Sequence, residues 1–108
     1  MNLTNVREVF DKIAGNFNAG AAKGMDAIFQ FDISGEGGGN WFVEVKDTMC
    51  RVQEGSHSDP TVSLAMSGET WLAVVNRELN AVQAFMTGKL KVRGDIMLAQ
   101  RIPELFSF

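Results

Sequence analysis

The sequence predicts an α+β fold built as one domain, and three observations predict it. Apolar residues recur at spacings of three and four near both ends, they alternate with polar ones over 27–67 and 89–93, and glycine or polar clusters separate the alternating runs. At 108 residues, 45% hydrophobic and 21% charged, the chain can bury roughly two-thirds of its unfolded surface, enough for one core and too little for two. Residues 1–108 are therefore read as a single domain.

Thr4 or Asn5 can cap a first helix, in which Val6, Val9, Phe10, Ile13 and Phe17 share one face. NAGAAKG, residues 18–24, breaks that period with small residues. From Ala27 to Ser34 the period becomes two, with Phe29, Phe31 and Ile33 on one side and Gln30, Asp32 and Ser34 on the other. After GEGGGN, Trp41, Val43 and Val45 alternate with Phe42, Glu44 and Lys46, which makes a hairpin. Asp47 and Thr48 form a tight link to a third strand with Cys50 and Val52 inward. Thr48 is an awkward occupant if that turn needs positive φ, so the turn type stays open. TVSLAMS, residues 61–67, supplies a fourth strand with Val62, Leu64 and Met66 inward.

Ser67 or Thr70 can cap the next helix, where Trp71, Leu72, Val75 and Leu79 share a stripe, and Asn80 opens a second segment carrying Val82, Phe85 and Met86. Gly88 allows a left-handed stop. FMTGKLKVRGD then holds a fifth strand, with Leu90 and Val92 alternating with Lys89, Lys91 and Arg93. A last helix from Asp95 carries Met97, Leu98, Arg101 and Ile102 to a kink or stop near Pro103. Phe85 and Met86 precede the fifth strand and Ile96, Met97 and Leu98 follow it, a setting that fits a plain core and equally the wall of a cavity for an apolar guest.

A formal charge of -3 and a pI near 5.0 argue against a nucleic-acid binder, which shows a basic field or a basic stripe with stacking aromatics. Cys50, the one cysteine, makes neither an internal disulfide nor a zinc site and weakly indicates a reducing compartment. The N-terminus lacks the basic and apolar regions of a secretory signal, and no apolar run approaches the roughly 20 residues that span a bilayer. The expectation is a cytoplasmic protein, mature from its first residue.

Catalysis finds little support. His57 and Asp59 lack the further ligands a metal needs, and Cys50 sits inward without an activating base. GEGGGN lacks the strand-to-helix setting and lysine of a phosphate loop, and Ser67 has Ala65 where a nucleophile elbow needs glycine.

With AFMTGKLKVRGDIMLAQRI, residues 84–102, in view, the chain resembles the lipid-binding domain of the sterol carrier protein family. The family hallmark is an aromatic pair or Phe-Met, a Gly-Lys-Leu-Lys strand, a Gly-Asp or Gly-Asn turn and a final helix rich in small residues. It falls here on Phe85, Met86, Gly88, Lys89, Leu90, Lys91, Gly94, Asp95 and Ala99. The likeness extends upstream through FDISG, the glycine-rich hairpin, WFVEVKD, Asp59-Pro60 and the helix after Met66.

The resemblance implies a mainly antiparallel five-stranded sheet covered on one face by helices, enclosing an apolar tunnel for fatty acids, fatty acyl-CoA or sterols. The residues it places in that tunnel are Leu64, Met66, Trp71, Leu72, Val75, Phe85, Met86, Leu90, Met97, Leu98, Ile102 and Leu105. Met66, Phe85, Met86 and Met97 lead the set, because soft methionine torsions can fill the space and swing aside. For any one of them alone an ordinary core place is the favoured reading, and only the family likeness raises the set above it. An empty cavity of several hundred Å³ would cost roughly 7 kcal/mol or more, so the tunnel is expected to be occupied or partly collapsed. Arg77 and Ala81 stand where many relatives have Gly and Pro, which predicts a more continuously helical connection. Thr48 stands where glycine is common, and the ending LFSF lacks the peroxisomal address of animal members.

The function this implies is noncatalytic lipid binding with transfer or presentation. The alternative is an interaction or dimerisation module assisting a partner lipid-metabolising enzyme. The expected partners are a fatty acid or fatty acyl-CoA, a transient membrane surface and that enzyme, without nucleic acid, metal or cofactor. Lys89, Lys91 and Arg93 could meet an anionic head or surface, or simply keep an edge strand from pairing with another molecule. Leu105, Phe106 and Phe108 could gate the tunnel or touch a bilayer, or dock on the body.

Overall fold

The computed structural model describes residues 4–106, and Phe108 lies outside them. Helix α1, Val6–Ile13, starts where Asn5 Oδ1 accepts the backbone N–H groups of Arg7 at 2.9 Å and Glu8 at 3.4 Å. Its buried face is Val6, Val9, Phe10 and Ile13. The helix does not reach Phe17, because Gly15 and Asn16 are poor helix formers and the chain tightens into 3-10 turns at Ala14–Asn16 and Ala19–Ala22. Phe17 instead bridges to Phe106, with the rings 5.8 Å apart.

Five strands follow the predicted alternation: β1 Ala27–Ser34, β2 Gly39–Lys46, β3 Met49–Glu54, β4 Val62–Ser67 and β5 Leu90–Gly94. They form one sheet in the order β3-β2-β1-β4-β5. Every neighbouring pair is antiparallel except β1 with β4, which run parallel with Phe31 beside Leu64. The register brings Phe31 beside Trp41 and Leu64 beside Val92, so the inward residues make one apolar sheet face. The β2–β3 turn places both Asp47 (φ 54°) and Thr48 (φ 59°) in the left-handed region, the signature of a type I′ hairpin turn.

Gln30 lies on the predicted outer face but is buried there, only 3% exposed. Its side-chain amide donates to the carbonyls of Trp41 at 3.3 Å and Gly55 at 3.2 Å, and its oxygen accepts the His57 backbone N–H at 2.8 Å. The loop after β3 is thereby held over the outer sheet face, where Phe42 meets His57 edge-on at 5.2 Å.

The remaining helices lie across the apolar face. Helix α2, Gly68–Val75, is capped by Ser67, whose Oγ accepts the Thr70 N–H at 3.2 Å. The expected continuous helix is absent. The chain turns at Arg77 (φ 61°), with Glu78 N–H donating to the Ala73 carbonyl at 2.8 Å, before Asn80 caps α3, Ala81–Met86. The predicted inward face of α3 is also corrected: Ala84 is the buried residue, while Val82, Phe85 and Met86 are exposed.

The last helix divides into α4, Ile96–Ala99, and α5, Ile102–Leu105. Pro103 sits in the first turn of α5, where its missing N–H is no loss, so it helps to start a helix and does not stop one. Gly94 (φ 90°) swings the chain from β5 back over the sheet; a Cβ there would lie 2.5 Å from the Thr61 carbonyl oxygen. Leu105 and Phe106 dock in the core at 0% and 3% exposure, and the Asn18 N–H donates to the Leu105 carbonyl at 2.7 Å.

Candidate functional site

Between the inner face of β4 and β5 and the layer of α2 to α5 lies a cleft of about 730 Å³. Leu64, Met66, Leu90 and Val92 form its floor, since alternation along antiparallel strands aims these residues at the helices. Trp71, Val74 and Val75 come from α2; Ala81, Val82 and Phe85 from α3; Ile96 and Ala99 from α4; Ile102 and Pro103 from α5. Ile13 and Phe106 also line it and are themselves buried, whereas Val82, Phe85 and Ile96 are exposed. Burial therefore sets a deep end at Ile13 and Phe106 and an open rim at α3 and α4. The apolar space stands here as a cleft whose rim is formed by exposed residues of α3 and α4.

Seven of the twelve residues anticipated for the interior line the cleft: Leu64, Met66, Trp71, Val75, Phe85, Leu90 and Ile102. Five do not. Met86 and Met97 are 79% and 74% exposed and turn away from it. Leu72 borders a separate pocket of about 360 Å³ beside the β1–β2 loop, Leu98 packs against the core from outside the cleft, and Leu105 is wholly buried. Ile13 was missed because its helix precedes the sheet. Val74, Val92 and Phe106 were missed although each lies in an apolar stretch; the spacing of Val92 from Leu90 was the available signal.

The lining is apolar apart from Arg77, Asn80 and Gln100, together with the indole N–H of Trp71, which is buried without a hydrogen-bond partner. It contains no carboxylate, histidine or cysteine, so it offers solvation and shape and no acid–base pair. Among the described residues no three of His, Cys, Asp and Glu gather as a metal site. Cys50 lies on β3 outside the cleft, and burial pushes its thiol up to about 11. His57 holds its loop, its Nδ1 accepting the Asp59 N–H at 2.9 Å. Lys91 and Arg93 alternate with the floor residues of β5 and face away from the cleft, on an edge strand. None of the described helices is long and apolar enough to cross a membrane.

Comparison with known proteins gives a consistent result. The model of the SCP-2 sterol transfer family matches residues 10–107. A hydroxysteroid dehydrogenase-like protein 2 from Rattus norvegicus is 33% identical over 103 residues, covering 94% of this chain and 20% of that protein. The chain thus spans about a fifth of the length of that relative. Sterol carrier protein 2 from Yarrowia lipolytica, in its apo form, superposes with a TM-score of 0.75 at 27% identity over 93% of this chain and 91% of that one. A palmitated SCP2L2 from Aedes aegypti gives 0.74 at 26% identity over 94% and 93%.

Proposed function

The chain belongs to the SCP-2 sterol transfer family, and on that premise we propose that it is a noncatalytic carrier that holds one lipid in the cleft over β4 and β5. The observation that supports it most is the cleft itself. Its volume of about 730 Å³ falls in the range of roughly 300–1,000 Å³ typical of small-molecule sites, and its lining is chiefly hydrocarbon. Burying about a dozen methylenes at about 0.8 kcal/mol each gives on the order of 10 kcal/mol gross, before the cost of ordering the guest. A fatty acid or fatty acyl-CoA is the favoured guest, in keeping with the palmitated mosquito domain. The aliphatic chain lies over Leu64, Met66 and Leu90, with Trp71, Val75, Phe85 and Ile102 against its flanks.

The carrier acts as one domain in the cytoplasm, meeting a membrane surface transiently to load and unload. Extraction of freshly purified protein with organic solvent, followed by mass spectrometry, should release a stoichiometric lipid. A long-chain fatty acid should raise the melting temperature of the stripped protein by mass action. No released lipid and no thermal shift across a panel of acyl lipids would retire this function.

The small share of the rat relative that this chain matches favours one second reading, a module that presents its guest to a partner enzyme. Native mass spectrometry separates the two. A carrier appears as a lipid-bound monomer, and an interaction module as a lipid-free dimer or a complex with the enzyme.

A further inference from the structure

We propose that α3, β5 and α4 together form a docking face for an anionic lipid bilayer, with the rim of the cleft set against it. This rests on the lipid-carrier reading and goes beyond it by assigning both the face and the charge of the surface it meets. Two independent observations fall on the same stretch of chain, and the first is apolar exposure. Among the described residues, the exposed large hydrophobics Val82, Phe85, Met86, Ile96 and Met97 belong to α3 and α4, and Met49 alone lies elsewhere. Helix α3 packs on the edge strand β5, and α4 touches both β4 and β5, so the two helices bring these five side chains to one edge of the sheet. Exposed hydrophobics scattered singly are ordinary, whereas a gathered set marks a contact surface.

The second observation is charge. Residues 80–101 hold Lys89, Lys91, Arg93 and Arg101 against Asp95 alone, a net of +3, while the rest of the chain holds six cations and twelve acids, a net of -6. Arg101 is tied to Glu104, and Asp95 accepts the Leu98 N–H as the cap of α4. Lys89, Lys91 and Arg93 are exposed and enter no ion pair among the described residues. An anionic membrane repels the molecule as a whole and attracts it at this edge, so the field turns this edge toward the bilayer.

Exposed hydrocarbon and unpaired cations together select the occupant. A bilayer interface takes apolar side chains just below its headgroups and holds Lys and Arg among the phosphates and carboxylates. The long stems of Lys91 and Arg93 on an edge strand can carry their charges toward the same plane. A second copy meeting this face with its own would set like charges against each other. Val82, Phe85 and Ile96 are exposed and also line the cleft. A bilayer seated on them adjoins the cleft directly, which gives an acyl chain a path between the two that avoids water.

The test is flotation of the protein with vesicles of phosphatidylcholine alone and of phosphatidylcholine mixed with phosphatidylserine, at low and at high salt. The wild type should bind the mixed vesicles about ten-fold or more tightly at low salt, and lose most of that preference at high salt. The triple variant Lys89→Gln, Lys91→Gln, Arg93→Gln should abolish the preference, at about five-fold per cation. The triple variant Lys12→Gln, Lys23→Gln, Lys46→Gln makes the same change in net charge elsewhere and should keep it. Met86→Ser with Met97→Ser should weaken binding to both kinds of vesicle by about ten-fold, and Met49→Ser should not. All these positions lie outside the cleft lining, so every variant should bind a fatty acid in solution as the wild type does. A wild type that binds neither kind of vesicle overturns the proposal and leaves the face to an acidic protein. Equal losses from the two triple variants overturn it as well, and so does a dimer that Met86→Ser with Met97→Ser dissolves, which gives the face to a second copy. The carrier function fails separately, by absence of released lipid and of a thermal shift, whatever the vesicles show.

Discussion

Over β1 and β2 the helical layer is α1 joined by Trp71 of α2, and Phe10 at the centre of α1 stacks on Trp41 at 4.4 Å and on Trp71 at 5.4 Å while meeting Phe31 edge-on. Over β4 and β5 one side of the layer is α2, and the rest is made of α3, α4 and α5, each six residues or fewer. There the side chains reach toward the sheet without closing the space, and the cleft remains. The same sheet carries both halves, with the same alternation and similar residues on its inner face. What separates a solid core from a binding cavity here is the continuity of the covering helices. Two turns of uninterrupted helix bring four apolar residues down onto one patch. One turn brings one or two and then leads the chain away.

The largest contrast should come from truncating Phe10. Phe10→Ala removes the ring that joins both indoles and should cost about 3–5 kcal/mol in denaturant unfolding. Phe85→Ala, the same change at a 42% exposed rim position, should cost less than about 1 kcal/mol and should show itself in weaker lipid binding. Equal losses of stability at the two sites would erase the distinction between the halves. Next in size, Ala99→Phe should grow into the cleft and weaken acyl-chain binding by about ten-fold or more, with little effect on the melting temperature, because space is available there. Calorimetric titration of the variant with a fatty acid measures it.

A smaller effect is expected at the β2–β3 turn, far from the cleft. Thr48→Gly relieves a β-branched residue held at φ 59° and should stabilise the protein by about 1 kcal/mol without changing lipid affinity. Last, the Cys50 thiol on β3 should titrate near 11 in the folded protein, above its ordinary value near 8.5 in the unfolded chain. The folded state holds that proton more tightly, so this contribution to stability is complete below the unfolded value and is lost as pH rises through the folded one. Alkylation rates followed against pH, folded and in denaturant, report both values.

The five strands, the inward face of α1 and the caps at Asn5, Ser67 and Asn80 were legible because each depends on a few neighbouring residues and a period of two or near four. The burial of Gln30 was not, because its partners come from the loop after β3, in Gly55 and His57, and from Trp41 on the next strand. Nor was the orientation of α3, whose six residues include apolar side chains on more than one side. Ala84 won the buried place because it lets the helix approach β5 closely. Met86 and Met97 looked like lining residues by composition, yet one-turn helices leave whichever apolar side chains face outward in water. Leu98 and Leu105 point correctly toward the body and simply meet other parts of it.

The sequence by itself determined the elements and the apolar face of the sheet, since alternation and capping act between residues close along the chain. It also carried the family likeness in residues 84–102. Only the tertiary structure decided that the helices stop short over β5 and that Arg77 stands at the rim. A cavity is the volume that several separate segments fail to fill, and no local pattern encodes it.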